Sequence, residues 1–453
     1  MKLSQRIFRN PILPVLTAWI VVLVAASLWP GTTSGNNVAM LVIIFLSVFT
    51  ARQVFPRSIG AMTVIAVASA ALSVGVILNT WGYTTAACCT PDNPYLVNSD
   101  SNRWWQAAIH FLDPAEGAAA HPSHGLYGYM LGCIMWVFGK NVGVALITSM
   151  FFIMVSLVLT GVLTRRITRN DRVAVVAMAC TASVCYWLTM GTLILKDAFV
   201  IMSLLIGAVS LTYSEKRFLL LISFAAILLF AVRPGAILFL VPGILLLKFR
   251  KNHRVWPVCA VVICIAIWIL PDLLGLTEGF EKTVMADVSA NEAYNSPNQL
   301  ALYRIIGNYD STLKKILLLP LTAVVQFFIP FPWNFSRDIP FGMTEAYAHV
   351  AYPWYLFGLI FLYYLVTQRH TFREPLYLFS LWAILIWLIP CYLFAGMVSR
   401  YGLPMVALMA PAVAVTLMRN LKARRFYIFL VFGCVLVSGI LILAYNLQIL
   451  AMQ

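Results

Sequence analysis

Long apolar runs, broken by short polar intervals rich in Arg and Lys, set the pattern of this chain. A bilayer-spanning helix needs roughly 20 apolar residues. Runs near that length lie at about 11–29, 37–55, 59–79, 142–163, 173–190, 195–213, 218–232, 234–249, 255–271, 352–367, 376–394, 402–418 and 426–447. The pattern predicts an all-α polytopic membrane protein with about 13 transmembrane helices. The runs 218–232 and 234–249 are short and meet at Arg233-Pro234, so a broken helical hairpin competes with two separate spans. Such polar breaks line protein-enclosed cavities. The first run follows Lys2, Arg6 and Arg9 and is longer than a typical signal-peptide core, which favours a retained helix.

Two apolar pieces, 126–138 and 316–332, are read as helices in the outer interface. Counting the first as a span would export Arg165, Arg166, Arg169 and Arg172, and counting the second would export Arg419, Lys422, Arg424 and Arg425. With the N-terminus cytoplasmic, 21 of the 31 Lys and Arg and 3 of the 16 acidic residues lie inside, which gives +18 inside against −3 outside. Cytoplasmic loops collect Lys and Arg. The expected layout is a single polytopic membrane domain, 1–453. It comprises N-terminal helices to 79, an extracytoplasmic loop 80–141, a core 142–271, a second extracytoplasmic loop 272–351 and C-terminal helices 352–453.

Composition agrees with that layout. Hydrophobic residues make up 62% of 453 positions, charged residues 10%, and mean hydropathy is +0.88, beyond what a soluble domain buries. The net charge of +15 would suggest nucleic acid in a soluble protein. Here the cytoplasmic loops account for it, and no nucleic-acid partner is expected. Of the nine cysteines, Cys133, Cys180, Cys185, Cys259, Cys264, Cys391 and Cys434 lie in or beside apolar runs and read as small core residues. Cys88 and Cys89 are placed to form a vicinal disulfide or to pair elsewhere, and no spacing resembles a zinc site.

The candidate chemistry sits where charge meets the outer ends of apolar runs. Asp100 precedes Trp104-Trp105, aromatics suited to the membrane interface, and could take a proton from a hydroxyl acceptor. The plainer reading is a solvated loop carboxylate. Lys196-Asp197 opens an apolar run, Arg233 lies in the same layer without an adjacent carboxylate, and Arg400-Tyr401 marks another outer helix junction. Charge in a membrane costs about 2.5–3.5 kcal/mol per residue on insertion scales, so such residues are usually paired or functional. For Lys196 and Asp197 the competing reading is a structural ion pair between neighbouring groups. Lys196, Arg233 and Arg400 at one depth describe a site for an anionic lipid headgroup, since guanidinium binds phosphate as a fork and ammonium as a point charge. Each alone could be a snorkelling anchor. His121 and His124 are candidate ligands for a divalent cation with Asp100, or plain loop residues, and no metal is assigned. Asp197, Arg103, His121, His124, Arg304, Trp333 and Glu345 are candidate substrate contacts.

This order of features resembles the membrane-embedded glycosyltransferases of the GT-C type, which include protein mannosyltransferases and the aminoarabinose transferase of lipid A. The residues that carry the resemblance are Asp100, then His121-Pro-Ser-His-Gly-Leu-Tyr127 running to Phe138-Gly139, then a span closing at Arg165-Arg166. Lys196-Asp197, Arg233-Pro234 and Arg400-Tyr401-Gly-Leu-Pro404 follow. The resemblance covers roughly 95–420. It departs from the family where Pro-Pro-Leu is replaced by His-Pro-Ser-His-Gly-Leu, and where Asp100 follows three spans.

It implies a GT-C-like fold and transfer of a sugar from a polyprenyl-phosphate-linked donor to an extracytoplasmic glycan, lipid or protein acceptor, in cell-surface glycan assembly at a bacterial inner membrane. Asp100 would be the base, and Lys196, Arg233, Arg400 and Tyr401 would hold the donor phosphate. Asp100, Lys196, Arg233 and Arg400 are then expected to converge. A surface-polysaccharide polymerase or ligase is the alternative. A lipid-linked substrate transporter or flippase is the other class, although transporters commonly carry matching broken helices and no second copy of the Arg233-Pro234 break occurs.

Overall fold

The computed structural model describes residues 52, 54–56, 58–84, 99–117, 126–184, 187–188, 190–248, 317, 319–321, 323–324, 351–371, 373–394, 403–434 and 436. Every regular element among them is a helix, as the run pattern predicts. The chain divides into two compact units, one of 1–182 with 186–237 and one of 183–185 with 238–453.

The first unit contains α1 (Ile59–Thr84), α2 (Ser99–Leu112), α3 (Tyr127–Phe138), α4 (Val142–Thr168), α5 (Asp171–Ser183), α6 (Asp197–Ser210) and α7 (Glu215–Val232), with a 3-10 turn at Met190–Thr192. Helix α4 packs against α1, α3 and α6 and is buried along most of its length. It carries hydroxyls that an apolar interior would penalise. Thr148, Ser156, Thr160, Thr164 and Thr168 each donate to the carbonyl four residues back, at 2.7–2.9 Å. The helix thereby satisfies its polar groups internally.

Its ends are set by local chemistry. Asn141 Oδ1 accepts the Gly143 amide at 2.7 Å, which caps the start. Arg169 closes the helix in the left-handed region, φ 54°. Asn170 Oδ1 accepts the Arg172 and Val173 amides and opens α5. Pro234 ends α7: it cannot donate to the Phe230 carbonyl and disfavours a helical Arg233.

Helix α7 shows what its surroundings must be. Ile222, Ala225, Leu229 and Val232 form its buried stripe. Leu219, Leu220, Phe224, Ile227 and Phe230 on its other faces are exposed. Water would penalise that surface at about 25 cal/mol per Å², whereas hydrocarbon solvates it.

The second unit contains α8 (Leu240–Lys248), α9 (Ala351–Thr367), α10 (Pro375–Phe394), α11 (Pro404–Arg419) and α12 (Leu421–Cys434). Helix α10 packs against α8 and α11. Its Trp382 Nε1 donates to the Phe239 carbonyl at 2.6 Å. A Cβ at Gly243 would come within 2.5 Å of the Trp382 ring, so this approach requires glycine.

Several boundaries differ from the sequence pattern. Among the described residues, only α4 is long and apolar enough by itself to cross a bilayer, and α11 with α12 passes only as a pair bent by 119°. The described residues therefore do not establish about 13 spans; 11–29, 255–271 and most of 37–55 lie outside them. The expected run 195–213 is helical only from Asp197 to Ser210, about 21 Å at 1.5 Å per residue. Three charged residues open α7. The run 234–249 is a 3-10 stretch, Pro234–Phe239, followed by α8. Helix α3 has 12 residues, about 18 Å, too short for a hydrocarbon core of roughly 30 Å. Only scattered residues of 316–332 are described.

Candidate functional site

Helices α2 and α3 pack closely in the first unit. A Cβ at Gly128 would lie 2.5 Å from the Ala107 methyl, and one at Gly132 would lie 2.8 Å from Phe111. That contact buries Trp104 and Trp105, each 2% exposed, where the sequence suggested interfacial aromatics. The reason is the stripe Ser101, Trp104, Trp105 and Ala108, which shares one face of α2 and is wholly buried. The Trp104 ring meets the Tyr127 ring edge-on at 5.6 Å, and the Tyr127 hydroxyl lies 3.4 Å from Ser149 Oγ on α4. Burial holds the Tyr127 phenol above its ordinary range, opposed by the Ser149 hydrogen bond and reinforced by Asp197.

Lys196 and Asp197 stand where the chain enters α6. Adjacent residues on a helix do not face each other, and these two diverge. The Lys196 ammonium sits 4.7 Å from the centroid of the Trp104 ring, a cation–π contact. Asp197, with 7% of its side chain exposed, accepts from the Arg233 guanidinium at 3.4 Å. The neighbouring-pair reading of Lys196 and Asp197 is thus replaced by a pair 36 residues apart. The carboxylate that Arg233 lacked in sequence is Asp197.

Arg233 is also tied through the backbone. Its amide donates to the Leu229 carbonyl at 2.7 Å. The Ala231 carbonyl, left over as α7 ends, accepts the Leu126 amide at 2.6 Å. The entry to α3 is thereby fastened to the exit from α7.

Lys196 and Arg233, both half-buried, supply N–H donors that suit an anionic oxygen ligand.

Of the residues the sequence singles out, Lys196, Asp197 and Arg233 are brought together in the first unit. Asp100 lies in the first turn of α2, one turn before Trp104. Arg103, on the same helix, is half-buried. His121, His124, Arg304, Trp333, Glu345, Arg400 and Tyr401 lie outside the described residues. Among the described residues no group of three or more His, Cys, Asp and Glu gathers as metal ligands would. Sequence reasoning missed Trp104 as the platform for Lys196, and Ser149 as the partner of Tyr127. Tyr127 lay within a quoted motif, but Ser149 carried no signal in the pattern of α4.

No protein-family model and no curated protein matches this chain. Among solved structures it is similar to ArnT from Cupriavidus metallidurans bound to undecaprenyl phosphate, at 14% identity and a TM-score of 0.48. The match covers 79% of this chain and 60% of that one, so the chain spans less than two thirds of its length. A likeness of that depth fixes neither fold nor function.

Proposed function

We infer that this chain is an integral membrane glycosyltransferase that moves a sugar from a polyprenyl-phosphate-linked donor to an extracytoplasmic acceptor. The observation that supports the reading is the cluster around Lys196. The Lys196 ammonium lies over Trp104, one helical turn from the position of Asp100.

In the proposed reaction an acceptor hydroxyl gives its proton to the Asp100 carboxylate and its oxygen bonds to the anomeric carbon. The bond from that carbon to the phosphate oxygen breaks, and polyprenyl phosphate leaves with the electron pair. Lys196 stabilises the charge that develops on the leaving oxygen, while Arg233, held by Asp197, supplies oriented N–H donors. Arg400 and Tyr401 remain further candidates for the phosphate on the sequence argument. Arg103, His121, His124, Arg304, Trp333 and Glu345 remain candidates for the acceptor.

The test uses the full chain in nanodiscs with the lipid-linked sugar that co-purifies, identified by native mass spectrometry. Asp100→Asn is expected to retain polyprenyl-phosphate binding and lose turnover by about 10²–10⁴-fold, as for a general base. Lys196→Met is expected to weaken binding of polyprenyl phosphate. Full turnover in Asp100→Asn, or unchanged lipid binding in Lys196→Met, would overturn the reading.

A further inference from the structure

A second charged cluster lies in the first unit, at the far ends of the same helices, and the reaction above does not use it. The last turn of α4 carries Arg165 and Arg166, followed by Arg169 and Arg172, and α7 opens with Lys216 and Arg217. Six cations face two carboxylates, Asp171 and Glu215. Arg165 is accounted for: its Nε meets Asp171 at 2.8 Å and its guanidinium lies over Phe55 at 5.9 Å.

Arg166 and Arg217 are placed differently. Both lie over the ring of Tyr213, in the turn between α6 and α7, with guanidinium carbons 3.6 and 5.9 Å from its centroid. Among the described residues neither forms an ion pair with a carboxylate. Two like charges converging on one phenol ring repel, and an anion between them would remove the repulsion. Guanidinium forks match phosphate oxygens in pairs.

The surface beyond selects the kind of phosphate. Arg217 heads the helical row Leu220, Phe224 and Ile227, spaced by three, four and three residues on one face of α7. These apolar residues are 70, 49 and 65% exposed. A cationic seat thus continues into an uncovered apolar track. Free phosphate has no use for that track, whereas an acyl chain fits it.

We propose that Arg166, Tyr213 and Arg217 form the headgroup seat for an anionic phospholipid whose acyl chain lies along Leu220, Phe224 and Ile227. In the orientation argued from loop charge, this is a lipid of the cytoplasmic leaflet. Juxtamembrane basic groups there attract anionic headgroups. The site is separate from the proposed donor site, so it stands or falls independently of the transferase reading.

The full chain is reconstituted in nanodiscs of phosphatidylcholine with one fifth phosphatidylglycerol, and the lipids retained after extraction are read by native mass spectrometry. The wild type is expected to retain phosphatidylglycerol. Arg166→Gln with Arg217→Gln should lower that retention about tenfold. Lys422→Gln with Arg424→Gln removes the same charge from the second unit and should lower it less than about twofold. Arg217→Gln alone, at an exposed position where folding is not at stake, should show part of the loss. Tyr213→Phe, which keeps the ring, should retain the lipid, and Tyr213→Leu should not. Equal losses in the two double variants would reduce the effect to diffuse charge and overturn the proposal. Unchanged retention in both would do the same. Displacement of the lipid by millimolar inorganic phosphate would identify a free-anion site and overturn it as well.

Discussion

The two charged ends of the first unit use the same residue types and treat them in opposite ways. At one end Asp197 and Arg233 pair with only 7 and 18% of their side chains exposed, and Lys196 is stacked on a buried tryptophan. At the other, Arg165 and Asp171 pair with 47 and 50% exposed, and Arg166 and Arg217 stack on a half-buried tyrosine. Burial, not residue type, decides what each contact is worth. A buried pair has given up its hydration and cannot recover it when one partner is lost. An exposed pair exchanges its partner for water.

The spacing of the two ends is also informative. Ser149 and Arg166 on α4 are separated by about 26 Å, Asp197 and Tyr213 by about 24 Å, and Arg217 and Arg233 by about 24 Å, taking 1.5 Å per residue throughout. Three neighbouring chain segments thus carry polar groups at both ends of an apolar stretch close to the roughly 30 Å of a hydrocarbon core. Lys196 stands in the turn before the short helix α6 and Tyr213 in the turn after it, so polar groups frame its apolar length.

Removing one partner at the buried end should have the largest effect. Asp197→Asn removes the buried carboxylate that Arg233 meets on α6 and is expected to cost about 3–5 kcal/mol, read as a lower melting temperature in detergent. Asp197→Leu with Arg233→Met should recover most of that loss. If Asp197→Asn melts with the wild type, the pair is not energetically buried and the contrast fails.

Next in size is Trp104. Trp104→Leu should cost about 2–4 kcal/mol through lost volume and the lost cation–π contact, and Trp104→Phe, which keeps an aromatic face under Lys196, clearly less. Equal losses in the two variants would show that packing alone matters there.

At the exposed end, Asp171→Asn should cost under about 1 kcal/mol, and the cost should shrink further in high salt. A loss as large as that of Asp197→Asn would remove the distinction between the ends. The smallest effect is expected at Arg169. Its left-handed backbone, φ 54°, suits glycine better than arginine. Arg169→Gly should therefore raise stability by about 0.5–1 kcal/mol, read as a slightly higher melting temperature in detergent.

The apolar runs made the helices of the first unit legible, because burial and lipid exposure both demand apolar residues. Helix ends were less so: α6 begins and ends inside its run, and hydropathy alone does not register where turns replace helix. Lys196, Asp197 and Arg233 were legible as a layer, since charge beside apolar sequence is rare. Their pairing was not. Adjacency in sequence joined Lys196 to Asp197, whereas the helix sends the two side chains different ways. Trp104 and Trp105 misled for a related reason, as an aromatic pair near a helix start fits an interface and a tight helix–helix contact equally well.

The bond from the Leu126 amide to the Ala231 carbonyl has a consequence for how this corner tolerates change. The Leu126 side chain is 56% exposed, so many residues can replace it with little effect. The bond itself belongs to the main chain and survives every such exchange except proline, which has no N–H to give. Mutational scanning at position 126 should therefore look permissive, with a single sharp exception. A position can be free to drift in identity while its backbone is held in place, and this one holds the carbonyl two residues before Arg233.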